Sequence, residues 1–426
     1  MIKNTIILVF VLLNYCNGQF TTKVNNYGSI YQLFQWKLLE FDFNGVKFTK
    51  DTPQRYGGDS VYFKEDWINE NEYFFNQTNN IPVGFESFQD LVFITVPRLR
   101  YGVPSTLNVV GREENTTKPL LRPYPDVNSV SSFVSIHRPS ADLECNTLWV
   151  VDTGLIDVPG NPIQVKAPEV IIFDLLTNTE ILRHQLKPSV LVNGTTSGLT
   201  SVTVDSSDTE CDNAHGYITD QATGGIIVFS LKEKDSWRFS HPSLMYDSGA
   251  SNFKIRDQNI DWKYGVSSIS LTDPDSNGIR TAYYHPLVAT QEFSITTDIL
   301  KDRNGDFEKN FKLVGVRGPW SQSTAHIYYP KTKTMFFANV ARDGILCWNI
   351  DKPLTTENVP LIAHNKSWLS YISDIKLVVD NIWMLVNNMP MFHYSKLEKD
   401  PEIPHFQLLW VAISDLVNGT ACEQKT

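Results

Sequence analysis

The chain has 426 residues, of which 42% are hydrophobic and 20% are charged, and it includes 23 glycines and 22 prolines. These fractions are typical of a globular protein and exclude collagen-like, disordered and polytopic membrane proteins. The formal net charge of -10 argues against nucleic-acid binding, which requires a basic excess or stripe. Aromatic residues make up 12% of the chain and favour strands over long helices.

Residues 1–18 have the composition of a secretory signal peptide. Lys3 supplies a positive charge, residues 6–13 (IILVFVLL) form a short apolar core, and a small-residue cleavage site precedes Gln19. The apolar run is too short to span a bilayer, and no later stretch of about 18 uncharged apolar residues follows it. The sequence therefore predicts a secreted protein, with residues 19–426 forming one mature domain.

Four cysteines remain after the signal peptide, and they predict two disulfides. In an oxidising compartment Cys145, Cys211, Cys347 and Cys422 allow three pairings. We favour pairing between neighbours along the chain, which gives Cys145–Cys211 and Cys347–Cys422. The second bond would tie the last residues to the preceding body. A tetrathiolate zinc site is the alternative, but the chain has no Cys-x-x-Cys pair.

Five Asn-x-Ser/Thr sequons are candidate glycosylation sites. In a secreted chain, each asparagine can carry a glycan if it lies on a surface loop. The five acceptors are Asn76, Asn115, Asn193, Asn365 and Asn418.

A pattern of strands and turns recurs six times along the chain. In each copy, a tight apolar strand with an aromatic residue is followed by a polar turn and a further strand. The copies occupy residues 91–110, 148–175, 215–231, 281–297, 334–350 and 381–397. Strand repeats about 45–70 residues apart predict a β-propeller, because one small twisted sheet cannot bury both of its faces alone. A pair of large β-sandwiches is the alternative.

The region before the first repeat is different in character. Residues 19–79 are irregular and contain polar stretches rich in tyrosine and asparagine, such as residues 69–80 (NENEYFFNQTNN). We expect an N-terminal strand followed by a loop insertion, all within the same propeller domain.

The chain lacks the common sequence motifs of catalysis and metal binding. Its nine histidines are scattered, without a His-x-x-x-His or His-Glu-x-x-His pair. It has no Gly-x-Ser-x-Gly elbow and no phosphate-binding glycine-rich loop. Residues 273–278 resemble the start of an EF-hand calcium loop, but the twelfth position is Tyr284 instead of glutamate. We therefore expect no metal and no cofactor.

Several stretches of the chain resemble the insect yellow / major royal jelly protein family, in the order that the family has them. They are WKLLEFDF (36–43), PVGFESFQDLVFITVPRLRYGVPSTLNVV (82–110), PLLRPYPD (119–126), CNTLWVVDTG (145–154), DSWRFSHP (235–242), GIRTAYYHPLVATQEFSITTDIL (278–300), ILCWN (345–349) and NGTAC (418–422). The resemblance covers nearly all of the mature chain. It implies an all-β fold, namely a six-bladed β-propeller with a central channel, secreted and glycosylated.

The resemblance leaves the functional branch of the family open. Its branches include cuticle pigmentation, conversion of dopachrome-like intermediates, nutritive or structural secretion, and salivary binding of biogenic amines. The four retained cysteines match the two-disulfide pattern of the salivary branch. Residues 122–126 and 278–300, in contrast, look more like the pigmentation type.

The resemblance also implies a ligand site. In the amine-binding branch, the ammonium of the ligand is held by a hydroxyl residue before Asp-Ile, by an asparagine, and by the carbonyl two residues after that asparagine. These roles fall on Ser373, Asn387 and Met389. An ammonium can only donate hydrogen bonds, so a hydroxyl, an amide oxygen and a carbonyl are suitable acceptors. The alternative is that Asn387 bonds strand backbone at a turn.

Three hypotheses follow for the function. The leading one is a secreted propeller that binds a small aromatic amine or catechol-type ligand, such as serotonin or dopamine, in its channel. The second is a melanin-pathway protein that converts a dopachrome, which needs a general base. Asp220, Asp374 and His215 are candidates for that base, but no motif selects one of them. The third is a cuticle-associated or storage protein without a ligand. We expect neither nucleic acid nor membrane as a partner.

Overall fold

The computed structural model describes residues 21–23, 29–52, 74–114, 116–207 and 210–423. The predicted signal peptide and the sequon at Asn115 lie outside the described residues. Residues 53–73 of the predicted N-terminal loop also lie outside them. Within the described part, strands dominate and the longest α-helix has six residues. None of the described helices is long and apolar enough to cross a membrane.

The strands form a six-bladed β-propeller, which confirms the fold predicted from the six repeats. Among the described residues, the strands before the first blade are β1 (Thr21–Lys23), β2 (Ser29–Trp36), β3 (Phe41–Phe43) and β4 (Val46–Phe48). Blade one contains β5 (Gly84–Phe88), β6 (Leu91–Thr95), β7 (Leu107–Gly111) and β8 (Arg122–Pro123). The next six strands are β9 (Ser140–Asp142), β10 (Thr147–Asp152), β11 (Leu155–Ile156), β12 (Ile163–Gln164), β13 (Glu169–Asp174) and β14 (Thr179–Gln185). Blade two consists of β9, β10, β13 and β14, whereas β11 and β12 pair as a separate hairpin.

The remaining blades follow in chain order. Blade three contains β15 (Leu199–Asp205), β16 (His215–Asp220), β17 (Gly225–Ser230) and β18 (Asp235–Ser240), and a hairpin of β19 (Phe253–Ile255) and β20 (Gln258–Ile260) follows it. Blade four contains β21 (Val266–Leu271), β22 (Thr281–Pro286), β23 (Gln291–Thr296) and β24 (Lys312–Val316). Blade five contains β25 (Ser323–Tyr329), β26 (Thr334–Asn339), β27 (Gly344–Asn349) and β28 (Leu361–His364). Blade six takes β29 (Ile372–Val378), β30 (Asn381–Val386) and β31 (Phe406–Ala412) from the end of the chain.

The described part of the chain also contains four short α-helices. They are α1 (Thr297–Lys301), α2 (Phe307–Asn310), α3 (Met389–Tyr394) and α4 (Ile413–Val417). The prediction of a strand at residues 392–397, in the sixth repeat, is wrong, because this segment begins in α3. Pro390 explains the difference: it has no N–H for a sheet ladder, but it is well suited to the first turn of a helix.

The first strand of each blade faces the propeller axis. Strands β5, β9, β15, β21, β25 and β29 contact one another in sequence, and β29 contacts β5. The ring is closed within blade six, where β2 pairs antiparallel with β31 and β1 pairs with β2. Blade six is therefore built from both ends of the chain. The predicted N-terminal strand is present, and its place is the outer part of the last blade.

The hydrophobic core is divided into layers between neighbouring blades. Strand β17 (GIIVFS) is buried at all six positions. Its side chains alternate, so that Ile226 and Val228 pack towards blade four, while Ile227 and Phe229 pack towards blade two. Because both faces of the blade are covered, the strand is apolar throughout.

The structure contains both predicted disulfides. Cys145–Cys211 joins the turn between β9 and β10 of blade two to the segment before β16 of blade three. Cys347–Cys422 joins β27 of blade five to the residues after α4, and both of its cysteines are buried. The second bond holds the C-terminal residues against the body of the propeller, as expected from the sequence.

Candidate functional site

A cavity of about 450 Å³ lies on the propeller axis. Residues of the innermost strands line it, and connections between strands form its walls. Each of the six blades, with the connections next to it, contributes lining residues, for example Leu99, Thr153, Gln221, Leu287, Thr324 and Tyr371. The cavity is therefore a product of ring closure.

One wall of the cavity is aromatic. The indole of Trp262 lies 5.3 Å from the ring of Tyr264, 5.9 Å from Tyr371 and 5.5 Å from His393, measured between ring centroids. Trp262 is buried, and its Nε1–H has no hydrogen-bond acceptor in the described structure. Burial raises the pKa of Tyr264 to about 12, and the nearby Asp261 also raises it. This wall is suited to stacking against a flat aromatic ligand.

A second group of lining residues carries charge. The guanidinium of Arg100 lies 4.2 Å from the ring centroid of Phe392, and its Nη2 donates to the carbonyls of Phe392 and Ser395. Asp157 also lines the cavity and accepts from the backbone N–H of Asn161 at 3.2 Å. Burial raises the pKa of Asp157, against the opposing effects of that hydrogen bond and of Arg100.

The most deeply placed cation of the cavity is Arg138, just before β9. Its guanidinium donates to the carbonyl oxygens of Thr324 (2.9 Å), Ser267 and, with longer geometry, Thr200 (3.4 Å). These three carbonyls belong to the innermost strands of blades five, four and three. Arg138 thus connects blade two to three other blades across the axis.

His137 precedes Arg138 and also lines the cavity. Its imidazole makes no hydrogen bond to any residue that the structure describes. Burial, together with the charge of Arg138, lowers the pKa of His137 to about 4. At neutral pH the ring is therefore uncharged, and a lone pair on one nitrogen is available to a ligand.

Two of the three ligand residues predicted from the resemblance line this cavity. Ser373 and Met389 are among the lining residues, although the Oγ of Ser373 donates to the carbonyl of Leu385 at 3.1 Å. Asn387 lies behind the wall and is buried. Its Nδ2 donates to the carbonyl of Pro82 at 2.8 Å, and its Oδ1 accepts from the N–H of Met389 at 3.0 Å. These contacts are the ones expected if Asn387 bonds strand backbone at a turn. The role of Ser373, Asn387 and Met389 as ligand residues stays a prediction.

The three candidate bases are not among the residues that line the cavity. Asp220 accepts from Gly198, Thr223 and Arg238 inside blade three. Asp374 accepts from the N–H of Phe85, and His215 packs on Trp237 at 6.2 Å between centroids. The cavity is instead lined by His137 and Arg138, and His137 is the residue that could act as a base. The sequence around them (IHRPS) carries no motif, so only the closed ring reveals them.

A buried cluster outside the cavity brings together potential metal ligands. Ligand atoms of His285, Glu292 and His326 lie within 4.8 Å of one another between blades four and five. Arg317 is fully buried and donates to Glu292, so its guanidinium already balances the only carboxylate charge of the cluster. A divalent ion would add two positive charges to this buried place beside a guanidinium. This charge balance argues against a metal site, although both imidazole nitrogens of His285 and the Oε1 of Glu292 have no hydrogen-bond partner among the described residues.

Comparison with known proteins defines the family. The family model described as "Major royal jelly protein" matches residues 134–422. L-dopachrome tautomerase yellow-f of Drosophila melanogaster is 33% identical over 408 residues, which cover 92% of this chain and 94% of the relative. Protein yellow of Drosophila yakuba is 32% identical over 81% of this chain, and the match spans 65% of that longer protein. Dopaminechrome tautomerase of Drosophila melanogaster is 25% identical over 96% of this chain and 87% of its own length. The chain is a member of the major royal jelly protein family, which includes the yellow proteins.

Proposed function

We propose that this protein is a secreted propeller that takes a catechol-derived aromatic compound into its axial cavity and tautomerises an aminochrome of the dopachrome type. The observation that carries the proposal is the free, uncharged imidazole of His137 in a cavity with an aromatic wall. Two relatives are named as tautomerases, of L-dopachrome and of dopaminechrome, and they support this reaction class.

The reaction requires little beyond a positioned base. An aminochrome becomes a dihydroxyindole when two ring C–H protons are removed and two protons reach the quinone oxygens, so no electrons enter or leave overall. A base with a lowered pKa can remove a C–H proton only if that proton is acidic. The conjugated quinone makes the ring C–H protons acidic. His137, which lines the cavity with an uncharged imidazole, is suited to accept the ring proton.

Binding of a biogenic amine is the second candidate, and the presence of Ser373 and Met389 in the cavity wall favours it. The charges of the lining favour it less. Two guanidinium groups, Arg100 and Arg138, face the cavity, and Asp157 is the only carboxylate among the described lining residues. An ammonium would be repelled by this balance, whereas a neutral or anionic aromatic compound would be accepted.

Secretion and glycosylation are parts of the same proposal. The two disulfides support an oxidising compartment. Asn193 and Asn418 are exposed and are the most accessible acceptors for a glycan. Asn76 and Asn365 are partly buried, and their Oδ1 atoms accept hydrogen bonds from neighbouring residues.

The test is a kinetic comparison on L-dopachrome and dopaminechrome, with spontaneous decay subtracted and products separated by chromatography. We expect the wild type to accelerate conversion, and His137→Gln to lose about 10²- to 10⁴-fold in kcat with an unchanged melting temperature. The acid limb of the pH profile should lie near the pKa of about 4 of His137, well below the usual histidine value. His364→Gln, at an exposed position outside the cavity lining, is the matched control.

Two outcomes would contradict the proposal. A wild type that does not exceed spontaneous decay with either compound removes the enzymatic reading and leaves ligand binding to be tested with serotonin and dopamine. Full activity of His137→Gln assigns the base to another residue.

A further inference from the structure

The hydrogen bonds of Arg138 leave part of its guanidinium unused. A guanidinium has five N–H donors. Three of them are directed at the carbonyls of Thr200, Ser267 and Thr324. The other two have no acceptor among the described residues, and the side chain lines the axial cavity. A guanidinium that lines a cavity and keeps two unused N–H donors can bind a carboxylate.

The charge of Arg138 is also not neutralised by contact. In contrast, the buried Arg317 contacts Glu292, and the partly buried Arg238 contacts Asp220 at 2.9 Å. No described carboxylate oxygen lies within 4.0 Å of the Arg138 guanidinium. The charge of Asp374 acts on Arg138, but this carboxylate lies 3.8 Å from Lys376, which is also 3.3 Å from Glu86.

A purely structural role would be expected to use more of the donors. Arg98 illustrates that case, because it is buried away from the cavity and donates to the carbonyls of Val103, Pro104, Phe133 and Val134. Arg138 makes fewer such bonds, and it makes them next to a space of about 450 Å³.

We propose that Arg138 forms an anion subsite at the base of the axial cavity and binds the carboxylate of an aromatic ligand. The inference deepens the proposed function and rests on it for the identity of the substrate: the aminochrome acted on is one that keeps a carboxylate on its five-membered ring. With that carboxylate on Arg138, the rings of the ligand lie in the cavity that His137 also lines. An aminochrome without the carboxylate would lack this anchor.

Binding of two stable probes tests the subsite without any turnover. Indole-2-carboxylate and indole-2-carboxamide share size and shape but differ in charge, and their dissociation constants are measured by calorimetry. Hydrogen bonds to charged groups predict that the wild type binds the carboxylate about 10- to 150-fold more tightly than the amide. In Arg138→Gln this ratio should fall to near one, and Arg138→Lys should keep part of it. Arg303→Gln removes an exposed guanidinium outside the cavity lining and should leave the ratio unchanged.

Arg100→Gln locates the subsite within the cavity. If this variant removes the preference for the carboxylate, the anion is bound by Arg100, and the proposal is overturned. Equal affinities of the wild type for the two probes, or no binding of either at millimolar concentration, also overturn it. These wild-type and Arg100 measurements decide the matter even if Arg138→Gln does not fold.

The outcomes separate this inference from the proposed function. If the wild type prefers indole-2-carboxylate but does not accelerate L-dopachrome conversion, the subsite is supported and the enzymatic function is contradicted. If the wild type converts L-dopachrome and binds both probes equally, the enzymatic function is supported and the subsite is contradicted.

Discussion

The phenol ring of Tyr31 stacks on the indole of Trp410, with ring centroids 4.5 Å apart and an interplanar angle of 20°. The two residues lie directly opposite each other in the ladder between β2 and β31. One comes from the start of the described chain and the other from its end. Closure of the propeller therefore depends on the backbone pairing and side-chain packing of β2, and no disulfide of the described residues joins this strand to the rest of blade six.

The first prediction concerns this closing strand. Phe34 of β2 has 1% of its surface exposed and packs in the layer between blades six and one, with its ring 5.7 Å from that of Trp36. Phe34→Ala should destabilise the protein by about 3–5 kcal/mol, because it leaves a cavity in that layer. The midpoint of urea unfolding measures the effect. Gln35→Ala, at the next and partly exposed position, should change the midpoint little. Equal midpoints for the two variants would show that β2 does not support the ring.

The second prediction concerns the disulfides. Alkylation of the unreduced protein should label none of the four mature cysteines, as read by mass spectrometry. Each bond closes a long loop, with sequence separations of 66 and 75 residues. Replacing either pair by alanine should lower the stability by about 2–5 kcal/mol. A labelled Cys422 in the wild type would contradict the bond that holds the C-terminal residues to blade five.

The third prediction separates a scaffold role of Asn387 from a ligand role. Asn387→Ala removes the bonds to Pro82 and Met389 and leaves buried backbone groups without partners. The structure predicts a loss of about 1–3 kcal/mol in stability, and a smaller loss for Ser373→Ala, which breaks only the bond to Leu385. If Asn387 is instead a ligand residue, its variant keeps the wild-type melting temperature and loses about 10- to 150-fold in affinity for an amine. Thermal unfolding and calorimetric titration with serotonin and dopamine on both variants distinguish the two roles.

The fourth prediction is a pH dependence of stability that arises between blades four and five. Burial lowers the pKa of His326 to about 3 and lowers the pKa of His285 well below its usual value, and Arg317 acts in the same direction on both. An unfolded histidine takes up its proton near pH 6.5, whereas these two stay neutral in the fold. Their contribution to stability is therefore complete above about pH 6.5 and is lost as the pH falls towards the folded pKa.

The size of this effect can be isolated by substitution. Each of the two histidines should cost about 1 kcal/mol of stability between pH 7 and about pH 5.5. Burial raises the pKa of Glu292, which works in the opposite sense as the pH falls. For that reason the difference between the wild type and His326→Gln is measured, and the variant should lose about 1 kcal/mol less over this range. A parallel pH dependence of the two proteins would contradict the assignment, and His364→Gln, at an exposed position, is the control.

The repeats and the disulfide pairs follow from the sequence because both depend on local features. Five of the six predicted units coincide with neighbouring strands of one blade, as in residues 215–231, which form β16 and β17, and the sixth matches only β30 because α3 follows it. Alternating apolar side chains and polar turns specify such a hairpin within about 20 residues, without reference to the rest of the fold. The apolar composition of β17 on both faces already requires that sheets pack on both sides of it.

The sequence by itself determined the six β-rich units, the family resemblance and the pairing of cysteines, because each of these rests on residue types at short or ordered spacings. Only the tertiary structure decided that β2 completes the last blade and that Asn387 bonds the backbone of Pro82. It also decided that His137 and Arg138 share a cavity with Trp262 and Tyr371. These contacts join residues that are far apart in the chain, and the packing of six blades around one axis, which no local pattern encodes, selects them.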